Sequence, residues 1–188
     1  MQGCPPSPSS PARAFLELAY KSTHLGRVII RVTENGIKGL NFLYMCAGGM
    51  GPSYANSQVL GVRCKGMEGE FIEMGHYASH GGGGTSTRAV LTSREDWKRE
   101  RERERERERQ RKETNEVTPW KAGDVRGGDS YEDASEFWIV TRDDPLWKDG
   151  HRFGVVEEGG LDVLLDAISK YPDITQVKVA SCGLLFSL

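Results

Sequence analysis

Short apolar runs, separated by turns rich in glycine and charged residues, form the dominant pattern of this sequence. The runs at residues 26–32 (GRVIIRV) and 136–141 (EFWIVT) are rich in β-branched and aromatic side chains, which is typical of strands with a buried middle. The same pattern predicts strands over residues 58–64, 70–74, 152–157 and 174–180, an ordered element over 14–20 and a short strand over 89–91.

Two segments carry apolar residues at the helical period instead. Residues 37–46 (IKGLNFLYMC) are followed by a glycine pair at 48–49, and residues 161–169 (LDVLLDAIS) form one apolar face before Tyr171 and Pro172 end the segment. Many short strands with one helix in each half predict a mostly β fold, a barrel or a sandwich, with helical caps.

Arginine and glutamate alternate almost without break over residues 99–111, between the two β-rich halves. In a helix this alternation places opposite charges three residues apart but like charges four apart, so the two effects largely offset each other. In a strand it leaves no apolar face to bury. We therefore expect a solvated, disordered excursion. An alternative is an interaction segment for RNA-associated partners, although a nearly neutral run lacks the net positive charge that phosphate binding needs.

The composition fits one globular domain with disordered additions. Of the 188 residues, 37 % are hydrophobic and 28 % are charged, which is enough for a single core. We expect a disordered Pro/Ser-rich tail over residues 1–13, the two halves of the domain over 14–93 and 131–188, and a disordered Arg/Glu-rich insertion over 94–130.

Charge and cysteine usage exclude several classes of function. The net charge of −2 argues against direct binding to nucleic acid or anionic membranes, and no apolar run reaches the length of a membrane span. Residues 1–13 lack the apolar core of a signal peptide, so we expect a cytoplasmic or nuclear location. The four cysteines form no CxxC pair, which favours reduced thiols over a zinc site. They are Cys4, Cys46, Cys64 and Cys182.

Seven short motifs follow one another in a recognisable order. They are GRVIIRV at 26–32, NF at 41–42, Cys-x-Gly at 46–48, SEFWIV at 135–140, FGVVEEG at 153–159, the helical segment 161–169 and the ending VKVASCGLL at 177–185. This order resembles the cyclophilin family of peptidyl-prolyl cis-trans isomerases, over about residues 25–185 apart from the charged tract. The resemblance implies a closed eight-stranded antiparallel β-barrel with a helix capping each end.

The resemblance implies catalysis of cis-trans isomerisation at X-Pro bonds, whose barrier is about 20 kcal/mol. In the family, an apolar pocket holds the proline ring and an arginine donates to the twisted amide. By this resemblance Arg63 is the catalytic donor and Phe71 is part of the pocket. Glu73 stands in place of a glutamine. Its carboxylate can pair with Arg63 and occupy the guanidinium that should face the substrate.

The resemblance places four more residues in the substrate site. Glu136 replaces a second glutamine, Trp138 replaces a pocket phenylalanine, and His151 corresponds to the pocket histidine. The pocket tryptophan falls on Trp147 or on Leu146. The Met-Ala-Asn loop that helps the family bind peptides has no counterpart, because the charged tract stands in its place.

We expect a peptidyl-prolyl isomerase domain with weak activity on proline-containing segments. A catalytically inactive interaction module is the alternative, and a third hypothesis is an RNA-processing accessory whose charged tract recruits partners. Proline-containing peptide or protein segments are the expected partners, and the domain is expected to be monomeric. We expect no cofactor and no metal, because His76 and His80 lack further ligands at suitable spacing.

The site residues also have ordinary interpretations. Arg63 fits a surface arginine on a strand, whereas Phe71, Trp138 and Trp147 fit core positions of any barrel. The glycine run at 81–84 lacks the Lys-Ser/Thr of a phosphate-binding loop and is interpreted as a linker.

Overall fold

The computed structural model describes residues 12–34, 36–48, 51–78, 85–88, 90–114, 118–128, 130–146 and 152–186. Within these ranges the chain forms ten strands, three α-helices and a 3₁₀ turn at Ile174–Gln176. The strands are β1 Arg13–Tyr20, β2 Thr23–Val32, β3 Gly61–Arg63, β4 Phe71–Met74, β5 Tyr77–Ala78, β6 Thr85–Ser86, β7 Asp124–Gly127, β8 Phe137–Val140, β9 Arg152–Val156 and β10 Val177–Leu185. The helices are α1 Ile37–Ala47, α2 Arg94–Glu113 and α3 Gly160–Lys170.

Eight of the strands form one antiparallel sheet in the order β10-β1-β2-β9-β7-β8-β4-β3, while β5 and β6 pair with each other. The sheet is an open, curled half-barrel, so the expected closed barrel is wrong. The end strand β3 has three residues and pairs with β4 alone among the described strands. Where a closing ladder would lie, Gln58 forms a single bridge to Lys178, and the Val59 N–H donates to the Val177 carbonyl at 2.9 Å.

Alternating burial along the strands creates the core on the inner face of the sheet. Leu16 and Leu18 of β1, Val28 and Ile30 of β2, and Ile139 of β8 are all fully buried. Helix α1 packs against β1, β9 and β10, and helix α3 packs against β2. The two helices predicted from the sequence therefore form and cover the β-rich core.

An aromatic cluster joins α1 to the sheet. Phe42 of α1 lies 5.2 Å from Phe137 and 5.3 Å from Phe153, measured between ring centroids, and Tyr54 lies 5.1 Å from Phe137. Tyr54 also donates its hydroxyl to the Ser135 carbonyl at 2.7 Å, so its polar end is satisfied although the ring is buried. This contact links the first half of the chain to the segment just before β8.

The Arg/Glu tract forms helix α2, where the sequence predicted disorder. Ser93 caps the helix by accepting a hydrogen bond from the Asp96 N–H at 3.2 Å. One turn later Trp97, 2 % exposed, packs with Ala134 against Ile37 and Tyr131. Trp97 anchors the helix, and it lies just before the segment that lacks apolar residues.

The buried face of α2 contains charged residues as well as Trp97. Arg101 and Glu104 are buried and form an ion pair of 2.5 Å along one helical face. Farther along, Arg111 lies 3.6 Å from Glu34 of the body. These contacts offset the repulsion between like charges four residues apart.

Among the described residues, no helix is both long and apolar enough to cross a membrane.

Strand β7 is a second difference between the structure and the sequence-based expectation, because it lies within residues 94–130, which were expected to be disordered. Val125 is fully buried between Ile139 of β8 and Gly154 of β9, which supplies the apolar contact that orders this segment. The short strand predicted over residues 89–91 does not form, since Val90 and Leu91 are in bends and residue 89 lies outside the described ranges.

Candidate functional site

The candidate site lies on the outer face of β4, β8 and β7. Side chains alternate along these strands, so Ile72, Ile139 and Val125 face the core and their chain neighbours face outward. The strand register then pairs Glu73 with Trp138, and Trp138 with Arg126. A row of charged and aromatic side chains therefore crosses three neighbouring strands.

A pocket of ≈ 210 Å³ opens beside this row. Its walls combine four apolar or aromatic side chains with three charged ones. The lining residues are Gly69, Phe71, Glu73, Trp120, Arg126, Trp138, Val140 and Asp144. A concave, largely apolar surface with a few convergent polar groups is the usual form of a ligand site.

Glu73 is the centre of the hydrogen bonding at this pocket. Arg63 Nε donates to Glu73 Oε2 at 2.9 Å, and Trp138 Nε1 donates to Glu73 Oε1 at 3.2 Å. The Arg63 side chain is 65 % exposed, whereas Glu73 is 18 % exposed. The structure thus forms the Arg63–Glu73 ion pair, and the carboxylate holds an otherwise solvent-exposed guanidinium close to the pocket.

Arg126 forms the other side of the row. Its guanidinium lies 5.3 Å from the centroid of the Trp138 ring, a cation–π distance. Trp138 is therefore fixed from two directions, by its indole N–H on Glu73 and by the cation on its ring face. A ring held in this way is a preorganised wall for a ligand.

Trp120 closes the pocket from the loop before β7. It is 5 % exposed and bridges Asp144 through the backbone, while Arg152 lies 5.0 Å from the centroid of its ring. Arg152 in turn pairs with Asp124 at 3.0 Å. Burial raises the pKa of the Asp124 carboxyl, although the Lys121 backbone N–H and Arg152 act in the opposite direction.

Glu136 lies on the same outer face as Trp138 but has a different partner. Its Oε1 is 2.8 Å from His76 Nε2, and Glu136 is not among the residues that line the pocket. Gly75, with φ +114, allows the close approach of this segment, because a Cβ there would lie 2.3 Å from the Ser135 carbonyl oxygen.

The structure brings together four of the residues chosen from the sequence: Phe71, Glu73 and Trp138 line the pocket, and Arg63 contacts Glu73. Trp147, His151, His80 and residues 81–84 lie outside the described ranges. Leu146, the alternative to Trp147, is 86 % exposed and does not line this pocket.

Five of the lining residues are not among the site residues that the sequence predicts: Gly69, Trp120, Arg126, Val140 and Asp144. The alternation Asp124-Val125-Arg126 could have indicated a strand with Arg126 facing outward. The charge-rich composition of residues 94–130 instead predicts a disordered insertion, in which no strand is expected.

The described residues contain no group of three or more His, Cys, Asp or Glu side chains arranged to hold a metal ion. At the pocket, Glu73 pairs with Arg63 and Arg126 lies against the Trp138 ring, while Asp144 accepts a hydrogen bond from the Leu146 backbone N–H. The arrangement can hold an apolar group between indole and phenyl walls and present an arginine beside it.

No protein-family model matches this sequence, and no curated protein matches it either.

Proposed function

We propose that this chain is a cyclophilin-like peptidyl-prolyl domain that binds proline-containing segments and isomerises them weakly. The observation that supports the proposal is the position of Arg63, Phe71, Glu73 and Trp138 around one pocket on the outer face of the sheet. The family resemblance predicts these four residues as site residues, and they are separated by up to 75 residues in the chain.

The pocket suits a proline ring chemically. Phe71, Trp120, Trp138 and Val140 provide an apolar wall, and ≈ 210 Å³ is enough for one small ring. Aromatic faces bind proline well, because the ring is apolar and loses little conformational entropy on binding. Arg63 stands where a donor could contact a peptide amide at the rim.

Weak catalysis follows from the partner of Arg63. An isomerase lowers the barrier by donating a hydrogen bond that is stronger in the twisted transition state than in the planar amide. Glu73 competes for that donor, since its Oε2 already accepts from Arg63 Nε. The carboxylate neutralises part of the guanidinium charge and fixes the direction of its N–H groups, so a peptide amide meets a weaker donor than an unpaired arginine offers.

The same contact favours the alternative function, a module that binds proline segments without turnover. Both carboxylate oxygens of Glu73 are engaged, one by Arg63 and the other by Trp138, so the pair is held from two sides. In this alternative Arg63 serves to shape the rim.

The experiment is an NMR titration of the ¹⁵N-labelled full chain with a short Ala-Pro peptide and with a control peptide in which alanine replaces proline. We expect shifts at the Trp138 indole N–H and at β4 and β8 amides for the proline peptide alone, with exchange cross-peaks between its cis and trans forms. Shifts without exchange would support the inactive module. Equal shifts with both peptides, or none with either, would refute both functions.

A further inference from the structure

A second cavity lies between the β3–β4 turn and helix α3, and we call it the α3 groove. Its volume is ≈ 510 Å³, within the range of about 300–1,000 Å³ that is typical of sites for small ligands. It shares no lining residue with the pocket beside Trp138. Lys65 and Arg142 line it on the side of the sheet, and Asp162 and Asp166 line it on the side of α3.

A buried carboxylate organises the sheet side of the α3 groove. Glu70 is 2 % exposed, and its buried charge is stabilised by hydrogen bonds to its oxygens. Oε2 accepts from the Gly66 N–H at 2.7 Å, and Oε1 accepts from the Thr141 hydroxyl at 2.8 Å. Arg142 Nε lies 3.5 Å from the same Oε1. Glu70 therefore positions both the turn that carries Lys65 and the guanidinium of Arg142.

Helix α3 provides the opposite side of the groove. Asp162 is in its first turn, and Asp166 lies one turn later on the same face. Asp166 pairs with Lys170 of the same helix at 2.7 Å. Leu165 and Ile168 add apolar surface to the groove, and Ile168 belongs to the buried core. The helix packs against β2, which holds this side in place relative to the sheet.

Two charges in the groove remain uncompensated. Arg142 is paired with Glu70, and Asp166 is paired with a lysine of its own helix. The side chains of Lys65 and Asp162 form no ion pair or hydrogen bond within the part of the chain that the structure describes. One positive and one negative charge therefore lie on opposite sides of a groove that also has apolar surface.

We propose that the α3 groove binds a short peptide with free termini and an apolar side chain. The terminal carboxylate pairs with Lys65, beside Arg142, and the terminal ammonium group pairs with Asp162. The apolar side chain packs on Leu165 and Ile168. A ligand with both charges satisfies the two uncompensated groups at once, whereas an anion or a cation satisfies only one of them.

The separation of the two charges favours a peptide over a single amino acid. No ion pair joins the two sides of the groove among the residues described above. An amino acid carries both charged groups on one carbon atom, whereas each further residue of an extended peptide adds about 3.5 Å between them. A peptide of two or three residues can therefore reach both sides.

The test is a ¹⁵N NMR titration of the full chain with the tripeptide Gly-Leu-Gly, with its N-acetylated form and with its C-terminal amide. Acetylation removes the ammonium charge, and amidation removes the carboxylate charge. We expect saturable shifts at the Gly66 and Asp162 amides with the unblocked peptide, and a Kd at least about tenfold higher for each blocked form. The peptide contains no proline, and the Trp138 indole N–H reports separately on the other pocket.

Two substitutions assign the two ends of the peptide. Asp162→Asn should remove the preference for the unblocked peptide over the N-acetylated form, and Lys65→Gln should remove the preference over the amide. Lys98→Gln, at an exposed position of α2 outside the groove, is the matched control and should bind all three peptides as the wild type does.

The wild-type titrations alone can overturn the proposal. Equal Kd values for the three peptides would show that neither terminal charge is recognised. A loss of affinity on blocking only one end would show that the groove binds a single charge. Shifts that do not saturate, or that lie outside the groove, would show that there is no peptide site here. These results leave the proposed binding of proline segments beside Trp138 untouched, because that site has different lining residues.

Discussion

Arg63 and Glu73 form an ion pair on adjacent strands, with Arg63 Nε 2.9 Å from Glu73 Oε2. Arg63 is at the end of β3, the short strand that leaves the sheet open, and Glu73 is in the middle of β4. The pair therefore links β3, the end strand of the open sheet, to β4, which forms part of the pocket wall. A peptide amide would therefore share the guanidinium with a carboxylate.

Replacing Trp138 should weaken binding of a proline peptide in proportion to the aromatic surface removed. Trp138→Ala is expected to raise the Kd about 30-fold, equivalent to about 2 kcal/mol, because the wall that packs on the ring is lost. Trp138→Phe keeps an apolar ring but loses the hydrogen bond to Glu73, so it should show a smaller increase. Calorimetric titration measures both values. Unchanged affinity in folded Trp138→Ala would place the binding site elsewhere.

Trp97 should control whether helix α2 is docked. Because its side chain is 2 % exposed and is the main apolar contact of the helix, Trp97→Ala should weaken docking by roughly 3 kcal/mol. Hydrogen exchange should then show lost protection in α2 with protection kept in β1 and β2. Lys98→Ala, at an exposed position of the same turn, is the matched control. If the amides of α2 kept full protection in Trp97→Ala, the ion pairs of the helix would be sufficient to keep it docked, and the role assigned to Trp97 would be wrong.

Alkylation of Cys182 should depend on pH in a range unusual for a thiol. Side-chain hydrogen bonding with Cys46, and then with Ser53, lowers the pKa of Cys182 to about 6, although burial acts in the opposite direction. Its thiolate is therefore depleted only below that pH, whereas an ordinary thiol loses its thiolate below about 8.5. Iodoacetamide labelling of the native chain, quantified by mass spectrometry, should therefore reach a plateau above about pH 7. A rate that still rises steeply between pH 8 and pH 9 would be incompatible with a lowered pKa of Cys182.

Sequence patterns predicted the strands that alternate clearly. The burial of Ile72 and Ile139 beside outward Glu73 and Trp138 follows from the period of two. Closure of the barrel could not be predicted in the same way, because it depends on whether β3 and β10 reach each other, and their pairing involves residues far apart in the chain.

Tertiary contacts account for the other differences between the sequence-based predictions and the structure. The packing of Trp97, together with the ion pairs of α2, converts a charged run of marginal helical stability into a docked helix, and the Trp97 partners Ala134 and Ile37 are distant in sequence. Trp120 and Arg126 enter the pocket because β7 inserts between β8 and β9. The local sequence does not specify that insertion.

Glu73 restrains Arg63 and so weakens catalysis, and the substitution Glu73→Gln tests this restraint most directly. Glutamine keeps the shape and removes the charge, so Arg63 becomes available to the substrate amide. Glu17→Gln is the matched control, because Glu17 also accepts a hydrogen bond from an arginine, Arg27, but lies on β1 outside the pocket.

The measurement is kcat/KM for isomerisation of an Ala-Pro peptide, determined by exchange NMR for both variants and the wild type. We predict a weak rate above the uncatalysed background for the wild type and for Glu17→Gln, and a rate about tenfold higher for Glu73→Gln, since about 1.4 kcal/mol of restraint is released. A folded Glu73→Gln protein that is no faster than the wild type would contradict the account.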